Sequence, residues 1–187
     1  MTLRAVGISA SPSLTSRSRL LLTRALPHLE SLGMQTSLID LLDLSAEALL
    51  GRRTDPAAER AVADAVAADV LVLATPVYRA TYSGQLKAFF DLLPRDGLLG
   101  HAVGLIATAG IKEHYLAIDQ GLRPLVASLL GVTAARAVYV ANNRSAGLAN
   151  FPEEVDQQLA ALAGELFSLA IGQNASVVPA VSAGSRS

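Results

Sequence analysis

The sequence predicts an α/β fold, a doubly wound five-stranded parallel sheet of order 2-1-3-4-5 with helices on both faces. Apolar runs alternate with amphipathic segments about five times along the chain, the pattern of repeated strand–helix–strand units. Within a run the apolar residues are consecutive rather than alternating, as expected of strands buried on both faces. At 187 residues the chain suits one domain, assigned to residues 1–172. A small, polar, aperiodic tail over residues 173–187 is expected to be disordered.

Residues 3–8 form the first apolar run, bounded by the hydroxyl-rich turn Ser9-Ala10-Ser11-Pro12-Ser13-Leu14-Thr15-Ser16-Arg17-Ser18. Leu20, Leu21, Ala25, Leu29 and Leu32 then recur at helical spacing, and Gly33 stands where a helix closes on a left-handed residue. Residues 36–40 read as the second strand and residues 41–55 as irregular chain. Asp55-Pro56 begins a helix that runs to Ala68, with the acid in the capping position and proline where its missing N–H costs nothing. Residues 70–74 are the clearest buried strand. Ser83 precedes Leu86, Phe89, Phe90 and Leu93, a helical stripe that places a helix over about residues 83–94. Residues 102–107 repeat the strand pattern, with Thr108, Ala109 and Gly110 as the exit loop. A helix is predicted over about residues 114–130, a strand over 137–140 and a last helix over 152–171.

Composition removes several classes of function. Apolar residues make up 51% of the chain and charged ones 17%, more apolar surface than a small monomer readily hides, so a buried subunit interface is expected. The net charge of -1 and the scattered basic residues offer no field to a polyanion, which argues against nucleic-acid binding. With no cysteine there is no disulfide, thiolate nucleophile or iron–sulfur site. His28, His101 and His114 lack metal-site spacing, and no metal is expected. Asp64 and Asp69 interrupt the longest apolar stretch well short of the roughly 20 residues a membrane helix needs. The N-terminus leaves no room for a secretory signal, so a soluble, cytoplasmic protein is expected.

In open α/β sheets a ligand lies outside the carboxyl ends of the strands where the winding reverses, beside strands one and three. Those strands lead into the Ser9–Ser18 turn and into Thr75-Pro76-Val77-Tyr78. A terminal phosphate needs several short donors and positive potential. Ser11, Thr15, Ser16 and Ser18 supply hydroxyls, a helix N-terminus supplies N–H groups, and Arg17 adds a charge. The turn has neither Gly-x-Gly-x-x-Gly nor Gly-Lys-Ser/Thr, which favours a mononucleotide phosphate, although the same hydroxyls also serve as plain helix caps. Pro76 sets how the chain leaves the sheet, while Val77 and Tyr78 on one side and Thr108, Ala109 and Gly110 on the other can flank a flat ring. An ordinary strand-to-helix turn with a buried tyrosine fits these residues too; the shared position at the switch point favours the ligand.

The run Ala74-Thr75-Pro76-Val77-Tyr78-Arg79-Ala80-Thr81-Tyr82-Ser83-Gly84-Gln85-Leu86-Lys87, then Asp91-Leu92-Leu93-Pro94, resembles the NAD(P)H-dependent FMN reductases, especially those that serve alkanesulfonate monooxygenases. Ser11-Pro12 with Ser16-Arg17-Ser18, and Ile118-Asp119 with Leu122-Arg123-Pro124, look like the same subgroup's phosphate loop and fourth helix; the likeness covers roughly residues 3–142. It implies a flavodoxin-like fold, hydride transfer from NADH or NADPH to FMN, and a flavin-dependent monooxygenase as recipient of reduced FMN. Ser11, Ser16, Arg17 and Ser18 would surround the phosphate, and Pro76, Val77, Tyr78, Ser83, Thr108, Ala109 and Gly110 the ring. It also implies homodimers pairing into a homotetramer. One departure stands out: Gln120 occupies the place of a tyrosine that close relatives carry in a distorted stretch of that helix.

Hydride transfer between two cofactor rings needs no side-chain acid or base, so no catalytic residue is assigned. Arg52 and Arg53 could meet the extra phosphate of NADPH or simply face solvent. His101 and His114 are expected at the surface or an interface, and Tyr82 and Tyr115 in interface packing. Two other readings stay open, an FMN-retaining quinone or azo reductase and a non-enzymatic flavodoxin-like electron carrier. The near-neutral charge speaks against a carrier, which usually docks through acidic surface.

Overall fold

Strands that are apolar on both faces must be covered on both faces, and the chain meets that demand. A computed structural model describes residues 2–141 and 149–175. Five strands, β1 (Arg4–Ser9), β2 (Gln35–Asp40), β3 (Val70–Pro76), β4 (Ala102–Ala109) and β5 (Val132–Ala141), form one parallel sheet in the order β2-β1-β3-β4-β5. This is the predicted flavodoxin-like order.

Alternate side chains divide the core in two. Val6, Ile8, Leu71, Leu73, Val103 and Leu105 pack with Ala61 and Ala65 of α3 (Pro56–Val66), Leu86 and Phe89 of α4 (Gly84–Phe90), and Val126 of α5 (Arg123–Ala127). On the other face Ala5, Val72, Ile106 and Val138 pack with Leu21, Leu22 and Leu29 of α1 (Arg17–Ser31) and Leu159, Leu162 and Leu166 of α6 (Glu153–Ala175). Each fully buried Leu or Ile is worth about 1.5–3 kcal/mol relative to exposure. Gly104 allows α6 to lie close on the sheet, since a Cβ there would sit 2.7 Å from a methyl of Leu166.

Helix ends follow their local chemistry. The Ser16 hydroxyl accepts from the Arg19 N–H at the start of α1, Asp55 accepts from Ala57 N–H, and Ser83 accepts from Leu86 N–H. At the end of α1, Gly33 adopts φ +85° and its N–H donates to the Glu30 carbonyl, while Met34 N–H reaches Leu29.

Several expectations are corrected. The segment 41–55 is not wholly irregular: a 3₁₀ turn covers Leu41–Asp43, and α2 (Ala46–Leu49), capped by the Ser45 hydroxyl, buries Ala48 and Leu49. Thr108 and Ala109 belong to β4 rather than to its exit loop, because they pair with Val140 and Ala141. The single helix predicted over 114–130 is broken into a 3₁₀ turn at Lys112–Tyr115, a π turn at Ile118–Leu122, and α5. Strand β5 begins at Val132, five residues earlier than predicted, and pairs with β4 across a register shift between Val103 and Leu105. Helix α6 takes in residues 173–175, which the sequence placed in the irregular tail; residues 176–187 lie outside the described residues.

Candidate functional site

Parallel pairing brings the ends of β1, β3 and β4 to one edge. Ser9 lies level with Asp40 and Ala74, and Pro76 with Thr108. The hydroxyl turn leaves this edge and enters α1. Ser11, Ser16 and Ser18 are all buried there, with the Ser16 and Ser18 hydroxyls 2.9 Å apart and the Ser11 hydroxyl accepting from Ser13 N–H at 3.3 Å. Thr15 is exposed. Sequence reasoning missed Ser9, whose buried hydroxyl has no partner among the described residues. Its signal was available: a polar residue ending an apolar strand immediately before a hydroxyl-rich turn.

Arg17 does not stay over this turn. Its guanidinium stacks on Phe151, 4.4 Å from the ring centroid, and donates to the Asn150 carbonyl at 3.4 Å. Partial burial lowers its pKa from the ordinary guanidinium value. Arg19 is engaged as well, with its Nε 2.7 Å from the buried Asp40 carboxylate.

The second loop is held from several sides. Val77 N–H donates to the Thr108 carbonyl at 2.7 Å, locking the exit of β3 to β4. Ser83 N–H donates to the Thr75 hydroxyl at 3.0 Å, and the Ser83 hydroxyl donates to the Ala10 carbonyl at 2.6 Å. Ser83 is 2% exposed and therefore acts as a strap between the two loops. Tyr78 and Thr81 exchange backbone hydrogen bonds of 2.8 and 3.1 Å around Arg79 and Ala80, which take φ of 52° and 65°. Two consecutive left-handed residues that are not glycine store strain at this turn. The alternative of an ordinary turn with a buried tyrosine is not what forms: Tyr78 is 48% exposed. With Val77, Arg79, Ala80 and His114 it lines an open cavity of about 730 Å³.

Gly110 closes the predicted ring wall. Among the described residues no heavy atom lies within 4 Å of where its Cβ would be, so the space above this backbone is open to a ligand. The π turn presses on the ring-side loop from outside, where a Cβ on Gly121 would come within 3.2 Å of the Thr81 hydroxyl and 3.3 Å of the Tyr82 ring. Gln120 lies in this turn, the distorted stretch that the resemblance implied. Arg123 anchors its far end through Asp119, the Thr133 hydroxyl and the Ala134 and Ala135 carbonyls.

Other candidates fall away from the edge. Arg52 and Arg53 are exposed in the turn after α2. His101, expected at the surface or an interface, is buried just before β4, its ring nitrogens 3.3 Å from the Leu99 carbonyl and 3.2 Å from that of Val66. Among the described residues no cluster of three His, Asp or Glu could hold a metal ion, and no described helix is long and apolar enough to cross a membrane.

These residues fit a flavin mononucleotide. The orphaned Ser9 hydroxyl, the Ser16–Ser18 pair and the N–H groups of a helix start are the donors a phosphate requires. The open backbone at Gly110 and the face of Tyr78 suit a flat ring. The sequence profile of the NADPH-dependent FMN reductases matches residues 3–146. An FMN reductase (NADPH) of Pseudomonas putida is 37% identical over 142 residues, 75% of this chain and 72% of its own length. An NADH-dependent FMN reductase of Pseudomonas fluorescens is 37% identical over 141 residues, 73% of this chain and 75% of its own. Among solved structures, an NADH:FMN oxidoreductase in its apo form superposes with a TM-score of 0.81 at 33% identity, covering 95% of this chain and 92% of the other. The chain belongs to the NADPH-dependent FMN reductase family, an NAD(P)H:FMN oxidoreductase on a flavodoxin-like sheet.

Proposed function

We propose that the protein uses NADH or NADPH to reduce FMN that it binds and releases as a substrate, and that it supplies reduced FMN to a separate flavin-dependent monooxygenase of the alkanesulfonate type. The observation that carries this reading is the openness of the ring side. Tyr78 is half-exposed, Gly110 offers bare backbone, and the cavity between Val77 and His114 gives on to solvent. A site that grips the phosphate but leaves the ring accessible suits exchange. The segment 74–94 supports the choice of monooxygenase, through its resemblance to reductases that serve alkanesulfonate oxidation.

When bound, the flavin supplies the redox chemistry by accepting a hydride from the nicotinamide. The chain's own part is placement. Ser9, Ser11, Ser16 and Ser18 hold the anionic end; the Val77–Thr108 hydrogen bond and the Tyr78–Thr81 turn set the ring-side wall. Backbone N–H groups beyond Ala109 would stabilise the negative charge that the ring gains on reduction. Exposed Ile111 and Leu116 offer apolar surface for a homodimer or homotetramer, and the expected site of action is the cytoplasm.

Purification followed by steady-state kinetics tests the reading. Colourless protein with sequential kinetics that saturate in FMN is the expected result. Yellow protein with ping-pong kinetics and rapid quinone or azo-dye turnover would replace it with an FMN-retaining reductase. Bound flavin without NAD(P)H oxidation would leave an electron carrier.

A further inference from the structure

A nicotinamide coenzyme has two ends, and only one meets the flavin. The adenosine half carries the phosphates and needs cations elsewhere. Arg52 and Arg53, the candidates in the sequence, line neither of the two cavities that flank the 3₁₀ turn Lys112–Tyr115. One is the ring-side cavity, to which this turn contributes His114. The other, of about 700 Å³, lies between the end of β5 and the start of α6, and to it the same turn contributes Lys112 and Tyr115. Both cavities are thus lined by residues of the same four-residue turn, which makes them neighbours.

The second cavity has the chemistry of a nucleotide phosphate site. Arg17 and Lys112 bring two cations, and among the described residues that line it there is no Asp or Glu, although the whole chain is slightly acidic. A concave wall of one sign concentrates its field on an anion. Tyr115 and Tyr139 present rings, and Asn150 and Gln158 present amides that can both donate and accept. The lining is also braced. Arg17 is stacked on Phe151 and bonded to Asn150, and the Tyr139 hydroxyl donates to the Ile111 carbonyl, tying the chain before the turn to β5.

We propose that the cavity between β5 and α6 holds the adenosine diphosphate half of the nicotinamide coenzyme, with Arg17 and Lys112 on its phosphates and a tyrosine ring against the purine. This rests on the reading of the ring-side cavity as the flavin site, and it reassigns Arg17 from the flavin phosphate to the coenzyme.

The test uses flavin-free protein and isothermal titration with ADP-ribose, 2′-phospho-ADP-ribose and FMN. Lys112 is exposed, so Lys112→Ala should fold normally. It should weaken ADP-ribose or its 2′-phosphate about tenfold, while Lys112→Arg retains binding and FMN affinity stays within twofold in both variants. Loss for both fragments places the cations on the diphosphate, and loss for the 2′-phosphate form alone places them on that group; either supports the assignment. Gln158→Glu, which puts a carboxylate into the cavity, should also weaken the fragments. If wild-type protein binds FMN but neither fragment at millimolar concentration, or if Lys112→Ala and Gln158→Glu bind the fragments as wild type does, the assignment falls. Failure of wild-type protein to bind FMN would instead remove the underlying flavin reading.

Discussion

Removing the hydroxyls of Ser16 and Ser18 should loosen FMN through its phosphate and through nothing else. Both side chains are buried at the start of α1 with their oxygens 2.9 Å apart, and among the described residues neither has a charged partner. A hydrogen bond to a charged group is typically worth about 1.5–3 kcal/mol, and removing a mutually bonded pair should cost less than twice that. An overall loss of about 1–3 kcal/mol corresponds to a Kd for FMN raised roughly 5- to 150-fold. Ser16 has a second task, because its hydroxyl also accepts from Arg19 N–H at 3.2 Å and caps the helix. Ser16→Ala therefore lowers stability by about 1 kcal/mol, or roughly 2–4 °C in Tm, whereas Ser16→Gly costs only a few tenths. Comparing Ser16→Ala/Ser18→Ala with Ser16→Gly/Ser18→Ala separates the two tasks: Tm should differ and FMN affinity should not. Fluorescence titration with FMN and with riboflavin, which lacks the phosphate, completes the assay. An FMN Kd within twofold of wild type, or an equal loss for riboflavin, would refute the phosphate assignment.

Ser83→Ala breaks the strap to the Ala10 carbonyl and the cap on Leu86 N–H, and should cost about 2–4 kcal/mol, seen as a fall of roughly 5–15 °C in Tm by calorimetry. Ala80→Gly relieves a left-handed alanine and should stabilise the fold by about 0.5–1 kcal/mol in urea unfolding; a destabilised variant would mean that the turn is not strained. The Tyr139 phenol has its pKa raised, first by burial and then by Glu113. The stability it contributes is complete below the ordinary tyrosine pKa of about 10 and is lost as pH rises through the higher folded value. Unfolding measured between pH 9 and 11.5 should therefore show a downward slope that Tyr139→Phe reduces.

Most of the sheet was legible because burial on both faces leaves a plain mark. The runs of β1, β3 and β4 admit no other reading, and Gly33, Asp55-Pro56 and Ser83 punctuate the helices by their own backbone chemistry. What escaped depends on distant neighbours. The π turn is set by the approach of Gly121 to Thr81 and Tyr82 and by the anchoring of Arg123 on β5, which no local spacing reveals. The early start of β5 was hidden because Val132, Arg136 and their neighbours are partly exposed at a sheet edge, where the apolar run is diluted. Helix α2 is four residues long, too short for periodicity. At the site, the loops and their position were readable, while the direction of side chains was not. Arg17 turns toward Phe151 only because α6 brings that ring within reach.

The Ser83 strap turns two recognition loops into a single caliper. Because one hydroxyl couples the anion seat to the wall that meets the ring, the distance between them cannot be adjusted to suit a guest. The protein should then gauge the length of the sugar-alcohol chain joining those two parts of a flavin. An analogue one carbon shorter or longer would have to forfeit its grip at one extremity, a form of selectivity that owes nothing to the chemistry of either end.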